Sequence, residues 1–99
     1  PGRWEGKLLS IDRFGNAITN LRSTAIPMIA SSRFTLHVGR RRITTFQATF
    51  GEAPERLCFA YFGSSGYLEL AAKEQSAATL LNASAGDSVV LRFLDSQEP

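Results

Sequence analysis

The segment Ile11-Asp12-Arg13-Phe14-Gly15-Asn16-Ala17-Ile18-Thr19-Asn20 places a carboxylate, an aromatic ring, a glycine and a carboxamide within five residues, between two apolar segments. The glycine permits a sharp turn or a positive φ angle. A β-turn here would present Asp12, Phe14 and Asn16 from one corner of a sheet. The simplest interpretation is a hairpin in which Asp12 and Asn16 favour the turn and Phe14 belongs to the core.

Short apolar segments alternate with turns along the rest of the chain. Alternation and turn residues predict strands over residues 4–11, 17–21, 33–38, 41–46, 57–62, 67–72 and 88–93. A loop with one helical turn is predicted over 22–32, an irregular connection over 47–56, and a short alanine-rich helix over 76–81. The segment Leu57–Phe62 is apolar throughout, which predicts a strand buried on both faces. Six or seven mostly antiparallel strands with one short helix are typical of a small all-β barrel or sandwich.

Length and composition predict one domain spanning residues 1–99, since 43% of the residues are hydrophobic and 20% are charged. No apolar run approaches the ~20 residues of a membrane span, and the chain begins with no secretory signal. We therefore predict no membrane partner. Cys58 cannot form an internal disulfide and is predicted to be a small buried apolar residue, which fits a cytoplasmic protein. The first residue is Pro1 and not Met, which predicts a processed or excised piece.

The one basic cluster is Arg40-Arg41-Arg42, which follows Gly39 at a predicted hairpin tip. It could contact a phosphate or a nucleic acid, or it could be a solvated turn whose charge protects an edge strand. Three arginines without a wider basic face give little affinity at physiological salt, and the net charge of the chain is only +2. We therefore favour the solvated turn and predict no nucleic-acid partner.

Conventional catalytic sets are absent from the sequence. The one histidine, His37, lies within a predicted strand and has no nucleophile partner, so we interpret it as an outward or hydrogen-bonded strand residue. Neither a Cys/His cluster with metal-ligand spacing nor a P-loop occurs. The sequence thus predicts no catalytic residue, no metal site and no cofactor in this chain.

The first corner and a later aromatic residue suit a nucleoside that carries a cationic amino acid. Asp12 can accept a hydrogen bond from an ammonium group. Asn16 has a donor and an acceptor on one planar amide, which match the amino and ring-nitrogen edge of adenine. Phe14 and Phe50 can offer flat faces on which a purine stacks.

A second polar corner is Gly63-Ser64-Ser65-Gly66-Tyr67-Leu68-Glu69-Leu70-Ala71, which leads into an apolar run. Ser64 and Ser65 offer hydroxyl and backbone N–H groups suitable for a carboxylate, and neither serine has an obvious base for acyl transfer. Tyr67 is predicted to lie in the core. Glu69 alternates outward and is predicted to be solvated.

Together the two corners resemble the patterns D-x-F-G-N-x-x-T-N and N-S-x-G-Y-L-E-I-A of one family. This family is the S-adenosyl-L-methionine (SAM) hydroxide adenosyltransferases, the SAM hydrolases related to the fluorinating and chlorinating enzymes. The resemblance is to their C-terminal domain and runs from about Gly6 to Leu94; the family's N-terminal catalytic domain has no counterpart in this sequence. It implies a β-barrel, SAM or adenosine as the ligand with SAM as substrate, and a homotrimer. The implied site lies between the C-terminal domain of one subunit and the N-terminal domain of its neighbour.

The resemblance also implies roles for individual residues. Asp12 and Ser64 would hold the methionine part of SAM, Asn16 would recognise adenine, and Phe50 would pack on the adenine ring. Backbone atoms near Lys73 to Gln75, with Glu74 at the centre, would approach the adenine.

Three positions qualify the resemblance. Gly63 and Lys73 stand where asparagine is common in the family, and Ser65 stands where the fluorinating enzyme has arginine, as in the hydrolase branch. The implied reaction is displacement at the ribose 5′ carbon of SAM by water, which gives adenosine and methionine. Because the N-terminal domain positions the nucleophile, we predict no activity for this chain alone. The alternatives are a β-barrel that binds nucleic acid or another protein, and a purely structural trimerisation domain.

Overall fold

A computed structural model describes residues 2–49 and 57–94. In these residues the strands are β1 (Arg3–Ile11), β2 (Ala17–Arg22), β3 (Phe34–Val38), β4 (Arg41–Ile43), β5 (Cys58–Phe62), β6 (Tyr67–Ala72) and β7 (Ser88–Phe93). Two 3-10 turns, Ser23–Ala25 and Pro27–Ser31, follow β2, and a short helix, α1 (Ala77–Leu81), precedes β7.

The strands form one sheet in the order β4-β3-β7-β1-β2-β6-β5, and every ladder between neighbours is antiparallel. A parallel bridge between Phe46 and Ala60 brings the two ends of this sheet together. There the backbone N–H of Ala60 donates to the carbonyl of Thr45, and that of Gln47 donates to the carbonyl of Ala60, each at 2.9 Å. The result is a nearly closed barrel, which confirms the predicted all-β fold class. Closure leaves few unpaired strand edges.

Side-chain alternation along the strands places the core inside the barrel. The buried apolar side chains include Leu8, Leu21, Phe34, Leu36, Leu68, Leu70, Val89 and Leu91, and Ile26 and Ile29 of the 3-10 turns join them. Thr19 is buried among them, and its hydroxyl donates to the carbonyl of Leu68 at 2.7 Å. It also accepts from the N–H of Leu21 at 3.1 Å, so this buried polar group is satisfied.

The short helix begins and ends with standard caps. The Ser76 side chain accepts from the N–H of Thr79 at 3.1 Å, and Asn82 closes the helix in the left-handed region with φ 53°. Ala77 and Leu81 are buried against the barrel. The helix predicted over 76–81 is therefore confirmed, with Ser76 as its cap.

The predictions about burial in β5 and at its neighbours were partly wrong. Phe59 and Ala60 are buried, but Leu57 is 44% exposed and Cys58 is only half-buried. Among the described residues, β5 forms a ladder with β6 only and meets the other end of the sheet through the single Phe46–Ala60 bridge, so its first residues have no paired neighbour on that edge. Tyr67 is half-buried rather than in the core, with the Arg22 guanidinium 5.5 Å from the centre of its ring.

Two further expectations concern the β3–β4 hairpin and the membrane. His37 is exposed on β3, as predicted, and β4 ends at Ile43, three residues before the predicted end. Within residues 2–49 and 57–94, no helix is long and apolar enough to cross a bilayer.

Candidate functional site

The first corner is a tight turn between β1 and β2 that the side chain of Asp12 holds together. Asp12 Oδ1 accepts from the backbone N–H groups of Phe14 and Asn16, each at 2.9 Å. The backbone N–H of Asp12 donates to the carbonyl of Asn16, and that of Gly15 donates to the carbonyl of Asp12, again at 2.9 Å. No donor among the described residues contacts Asp12 Oδ2. One carboxylate oxygen therefore shapes the turn and the other is available to a ligand.

Gly15 attaches this corner to the start of α1. It is buried, has φ +85°, and lies so close to Ser76 that a Cβ atom here would be 2.2 Å from Ser76 Oγ and 2.7 Å from Ser76 Cα. Its carbonyl accepts from the N–H of Ala78 at 2.9 Å. Only glycine allows this contact, because both the positive φ and the close approach exclude a side chain.

The docking of corner and helix creates a cleft of about 600 Å³, lined by Phe14, Asn16, Ala72, Glu74, Gln75 and Ser76. This volume lies within the roughly 300–1,000 Å³ typical of small-molecule sites. Phe14, Asn16 and Glu74 come from segments more than fifty residues apart, and all three were predicted site residues. Sequence reasoning did not propose the side chains of Ala72 and Ser76, although the helix-capping signal at Ser76 marks the position where the helix meets the corner.

Phe14 is 66% exposed, so the interpretation of this residue as core is wrong. The two hydrogen bonds to Asp12 Oδ1 turn the backbone so that the ring leaves the barrel and borders the cleft. The Arg13 guanidinium lies 5.0 Å from the ring centre. An exposed aromatic face beside a cleft can stack against a planar ligand.

Glu74 has a strained backbone at the rim of the cleft. An isolated bridge between Ala72 and Gln75 closes a tight turn in which Glu74 has φ 59°. The left-handed region costs a non-glycine residue about 1–2 kcal/mol. Such outliers cluster at ligand sites, where the surrounding structure holds them in place.

The second corner is held by Glu69, which is only 7% exposed. The Tyr61 hydroxyl donates to Glu69 Oε1 at 2.6 Å, and the Ser65 hydroxyl donates to Oε2 at 2.7 Å. Ser65 Oγ also accepts from the N–H of Tyr67 at 3.2 Å. The prediction that Glu69 is solvated is wrong, because the two hydroxyls and the neighbouring strand enclose its carboxylate.

Gly63 makes room for this arrangement. A Cβ atom at Gly63 would lie 2.2 Å from Glu69 Oε2 and 2.3 Å from its Cδ. A side chain at this position therefore requires the Glu69 carboxylate to move. The identity of residue 63 is thus coupled to the placement of Glu69.

The two corners are close enough to interact electrostatically. Burial raises the pKa of the Tyr61 phenol far above its ordinary value, and the hydrogen bond to Glu69 and the charges of Glu69 and Asp12 raise it further. The strand register explains this proximity, since Ile18 pairs with Glu69, and Glu69 pairs with Tyr61. The second corner, which contains Glu69, and the cleft beside the first corner therefore lie on neighbouring strands.

The structure places the seven predicted site residues in different environments. Phe14, Asn16 and Glu74 line the cleft, Asp12 and Ser65 lie at the two corners, Ser64 is exposed at the tip of the second corner, and Phe50 lies outside the described residues. Tyr61 and Glu69 were not predicted. No group of three or more His, Cys, Asp or Glu residues in the described part of the chain is arranged to hold a metal ion.

The basic cluster belongs to the solvent-facing surface of the barrel. Arg40, Arg41 and Arg42 are all exposed at the β3–β4 hairpin. Burial raises the pKa of the Cys58 thiol, and the charge of Arg41 partly opposes this rise.

Comparison with known proteins identifies the family from the sequence. Residues 6–90 match the SAM hydroxide adenosyltransferase C-terminal domain. The (R)-S-adenosyl-L-methionine hydrolase of Thermus thermophilus is 41% identical over 87 residues, which are 88% of this chain and 31% of that protein. The chain therefore spans about a third of the length of this relative.

Two solved structures share the fold. A conserved hypothetical protein from Thermus thermophilus superposes with a TM-score of 0.69 and 42% identity, covering 91% of this chain and 34% of the other. An uncharacterized conserved protein from Thermotoga maritima superposes with a TM-score of 0.78 and 21% identity, covering 93% and 36%. With the family match over residues 6–90, these similarities show that the chain belongs to the SAM hydroxide adenosyltransferase family, in which it corresponds to the C-terminal domain.

Proposed function

We propose that this chain is the substrate-binding C-terminal domain of a SAM hydrolase, which converts SAM and water to adenosine and methionine. The observation that carries the proposal is the cleft of about 600 Å³ in which Phe14, Asn16 and Glu74 meet from two distant segments. The family match and the SAM hydrolase relative support the choice of ligand.

The cleft would hold the adenine. The Asn16 amide can donate to a ring nitrogen and accept from the exocyclic amino group of adenine. The exposed ring of Phe14 offers a stacking face on one side. The turn around Glu74 presents backbone atoms at the rim, and Phe50 is proposed as a second aromatic contact.

Asp12 of the first corner and Ser64 of the second corner would hold the methionine part of SAM. Asp12 Oδ2 is available to accept from the α-ammonium group, and such charge-assisted hydrogen bonds are about twice as strong as neutral ones. Ser64 lies exposed at the tip of the second corner, where its hydroxyl and backbone N–H can reach the substrate.

The chemistry would be an in-line displacement at the ribose 5′ carbon, with the sulfonium as leaving group. Such a reaction depends mainly on holding the nucleophile and the carbon in line. This chain would orient the substrate, and the N-terminal domain of a neighbouring subunit in a homotrimer would hold the water. We expect a cytoplasmic assembly and no turnover by this chain alone.

Calorimetry of the chain with SAM and with adenosine tests the proposal. We expect Asn16→Ala to weaken both ligands roughly 10- to 100-fold, because a buried hydrogen-bond partner of adenine is lost. Asn82→Gly is the matched control, since it changes an exposed asparagine at the helix end whose left-handed backbone suits glycine. This control should leave both affinities unchanged.

The assay is repeated with the family's N-terminal domain added, because half a site can bind too weakly to detect. Absence of binding and of SAM hydrolysis in that mixture would contradict the proposed function. Hydrolysis by the isolated chain above background would contradict the division of labour between the two domains.

A further inference from the structure

The hydroxyl protons of Tyr61 and Ser65 are both used in hydrogen bonds to Glu69. Glu69 accepts one hydrogen bond at each carboxylate oxygen, from Tyr61 at 2.6 Å and from Ser65 at 2.7 Å. A hydroxyl group has a single proton to donate. The Ser65 hydroxyl therefore cannot donate to a ligand while it is bound to Glu69.

What Ser65 can offer a ligand is an acceptor. Its oxygen has two lone pairs, and the N–H of Tyr67 uses one of them at 3.2 Å. Asp12 Oδ2 is likewise an acceptor, since its partner Oδ1 holds the turn. Asp12 Oδ2 of the first corner and Ser65 Oγ of the second can therefore only accept hydrogen bonds from a ligand, whereas the exposed Ser64 hydroxyl at the tip of the second corner can still donate one.

The negative charges of Glu69 and Asp12 also favour a ligand group that donates hydrogen bonds. Glu69 is 7% exposed, and no lysine or arginine of the described residues forms an ion pair with it. Asp12 lies near enough for its charge to act on Tyr61. Two carboxylates without an ion-pair partner in the described part of the chain attract a positive group, more strongly where water is partly excluded.

We propose that Glu69 is a positioning residue that makes this corner selective for an ammonium group, by holding the Ser65 proton inward and by adding its own negative charge to that of Asp12. The proposal rests on the proposed function and adds a specificity determinant to it. An ammonium group has three donors and no acceptor, so it fits the two acceptors Asp12 Oδ2 and Ser65 Oγ. The carboxylate of the same substrate must then be held by other groups, such as the backbone and hydroxyl at Ser64.

Glu69→Gln tests this proposal with little change of shape. The amide oxygen can accept from one hydroxyl, while the NH₂ group donates to the other, whose proton is released toward the ligand. The corner thereby loses a charge and gains a donor. Glu5→Gln is the matched control, because Glu5 is exposed on β1, paired with Arg3, and outside the site.

The measurement is a ratio of affinities. SAM is compared with its analogue in which a hydroxyl replaces the α-ammonium group, in the presence of the family's N-terminal domain. We expect the wild-type chain and Glu5→Gln to prefer SAM at least tenfold, and Glu69→Gln to prefer it only about twofold. Adenosine affinity, which reports the cleft alone, should stay the same in all three proteins.

Two further readouts separate positioning from general structural damage. Ser65→Ala leaves Glu69 in place and removes one acceptor, so it should lower the ratio about threefold. The ¹³Cζ resonance of Tyr61 follows its ionisation, and its ionisation constant should rise about tenfold in Glu69→Gln as the carboxylate acceptor is lost.

An unchanged preference for SAM in folded Glu69→Gln or Ser65→Ala would overturn the role of Glu69. Failure of the wild-type mixture to bind both SAM and adenosine would overturn the proposed function, and the ammonium assignment with it. Adenosine binding with no preference for SAM over the hydroxyl analogue would overturn the ammonium assignment alone.

Discussion

Two hairpin corners in this barrel have similar local chemistry and different surroundings. The β1–β2 corner contains Gly15 with φ +85°, and the β3–β4 corner contains Gly39 with φ +60°. Each joins neighbouring antiparallel segments and carries charged residues within three positions of its glycine.

The two corners differ in their contacts with the rest of the barrel. The Asp12 side chain holds the first corner with two hydrogen bonds, and Gly15 is pressed against Ser76. Apart from its chain neighbours, no atom of residues 2–49 and 57–94 lies within 4 Å of a Cβ built on Gly39, and Arg40 beside it is exposed. A turn becomes part of a candidate site when another element packs on it and fixes the direction of its side chains.

The largest expected effect on stability is that of replacing Gly15 with alanine, compared with the same replacement at Gly39. Gly15→Ala should lower the free energy of unfolding by about 3 kcal/mol or more, because it adds a backbone clash with Ser76 to the strain of a positive φ. Gly39→Ala should cost only about 1 kcal/mol, since strain acts there without a clash. Urea denaturation followed by circular dichroism measures both.

Gly86→Ala is a control with a larger positive φ, +93°, and no neighbour within 4 Å. Equal losses at positions 15, 39 and 86 would mean that the contact with Ser76 adds nothing to the strain of the turn.

Removing the side chain that holds the first corner should have the next largest effect. Asp12→Ala leaves the N–H groups of Phe14 and Asn16 without their acceptor and should cost about 1–2 kcal/mol in unfolding free energy. Asp12→Asn keeps an oxygen acceptor and should cost less. Arg40→Ala in the other hairpin should change stability by less than about 0.5 kcal/mol. A similar loss for Asp12→Ala and Arg40→Ala in thermal unfolding would contradict the difference between the corners.

The pH dependence of the unfolding free energy should report on the surroundings of Tyr61, which lies near the carboxylates of both polar corners. The pKa of Tyr61 is raised in the folded state by burial, by Glu69 and by Asp12. Below about pH 10, both the folded and the unfolded chain keep the phenol proton, so its full contribution to stability is present. Above that pH the unfolded chain loses the proton while the folded chain keeps it, and the free energy of unfolding falls as pH rises.

The steepest possible fall for one group is about 1.4 kcal/mol per pH unit, and near pH 10, where about half of the unfolded phenols are ionised, we expect about half of it. Solvent screening of the partly exposed phenol limits the total loss. Tyr61→Phe should remove this part of the slope, whereas Tyr67→Phe serves as the control and should retain it. Denaturation midpoints between pH 9 and 11 provide the measurement. An identical slope in wild type and Tyr61→Phe would exclude Tyr61 as its source.

The smallest expected effect concerns Arg41 of the β3–β4 hairpin and its influence on Cys58. The charge of Arg41 opposes the rise that burial causes in the pKa of Cys58. Arg41→Ala should therefore raise this pKa further and slow alkylation of Cys58 by iodoacetamide at pH 8 about twofold, because less thiolate is present. Arg40→Ala is the matched control and should react at the wild-type rate. Faster alkylation in Arg41→Ala would show that the side chain shields the thiol rather than acting through its charge.

Local pattern predicted much of the fold. Alternating apolar residues located all the strands found in residues 2–49 and 57–94, within a few residues at their ends, and Ser76 with its alanines marked the helix. These features depend on neighbours in sequence, where side-chain period and backbone preference are decisive. Asp12, Phe14 and Asn16 were proposed as site residues for the same reason, since an Asp-x-x-Gly turn restricts their positions.

Residues whose environment depends on distant strands were not predicted correctly. Glu69 follows the outward alternation of β6, yet Tyr61 on β5 packs against its carboxylate, and Gly63 leaves the space that this carboxylate occupies. Period and hydrophobicity cannot report these outcomes, because they are set by the groups that the fold brings alongside.

Contiguous segments of the chain carry enough information for the strands, the turns and the family, because backbone preferences and motif residues act over short range. The contact of Gly15 with Ser76, the cleft that joins residues 14–16 to 72–76 and the hydrogen bond from Ser65 to Glu69 depend instead on the folded arrangement. Those features arise from close contacts between segments far apart in the chain, where distances of a few tenths of an ångström determine which side chains fit.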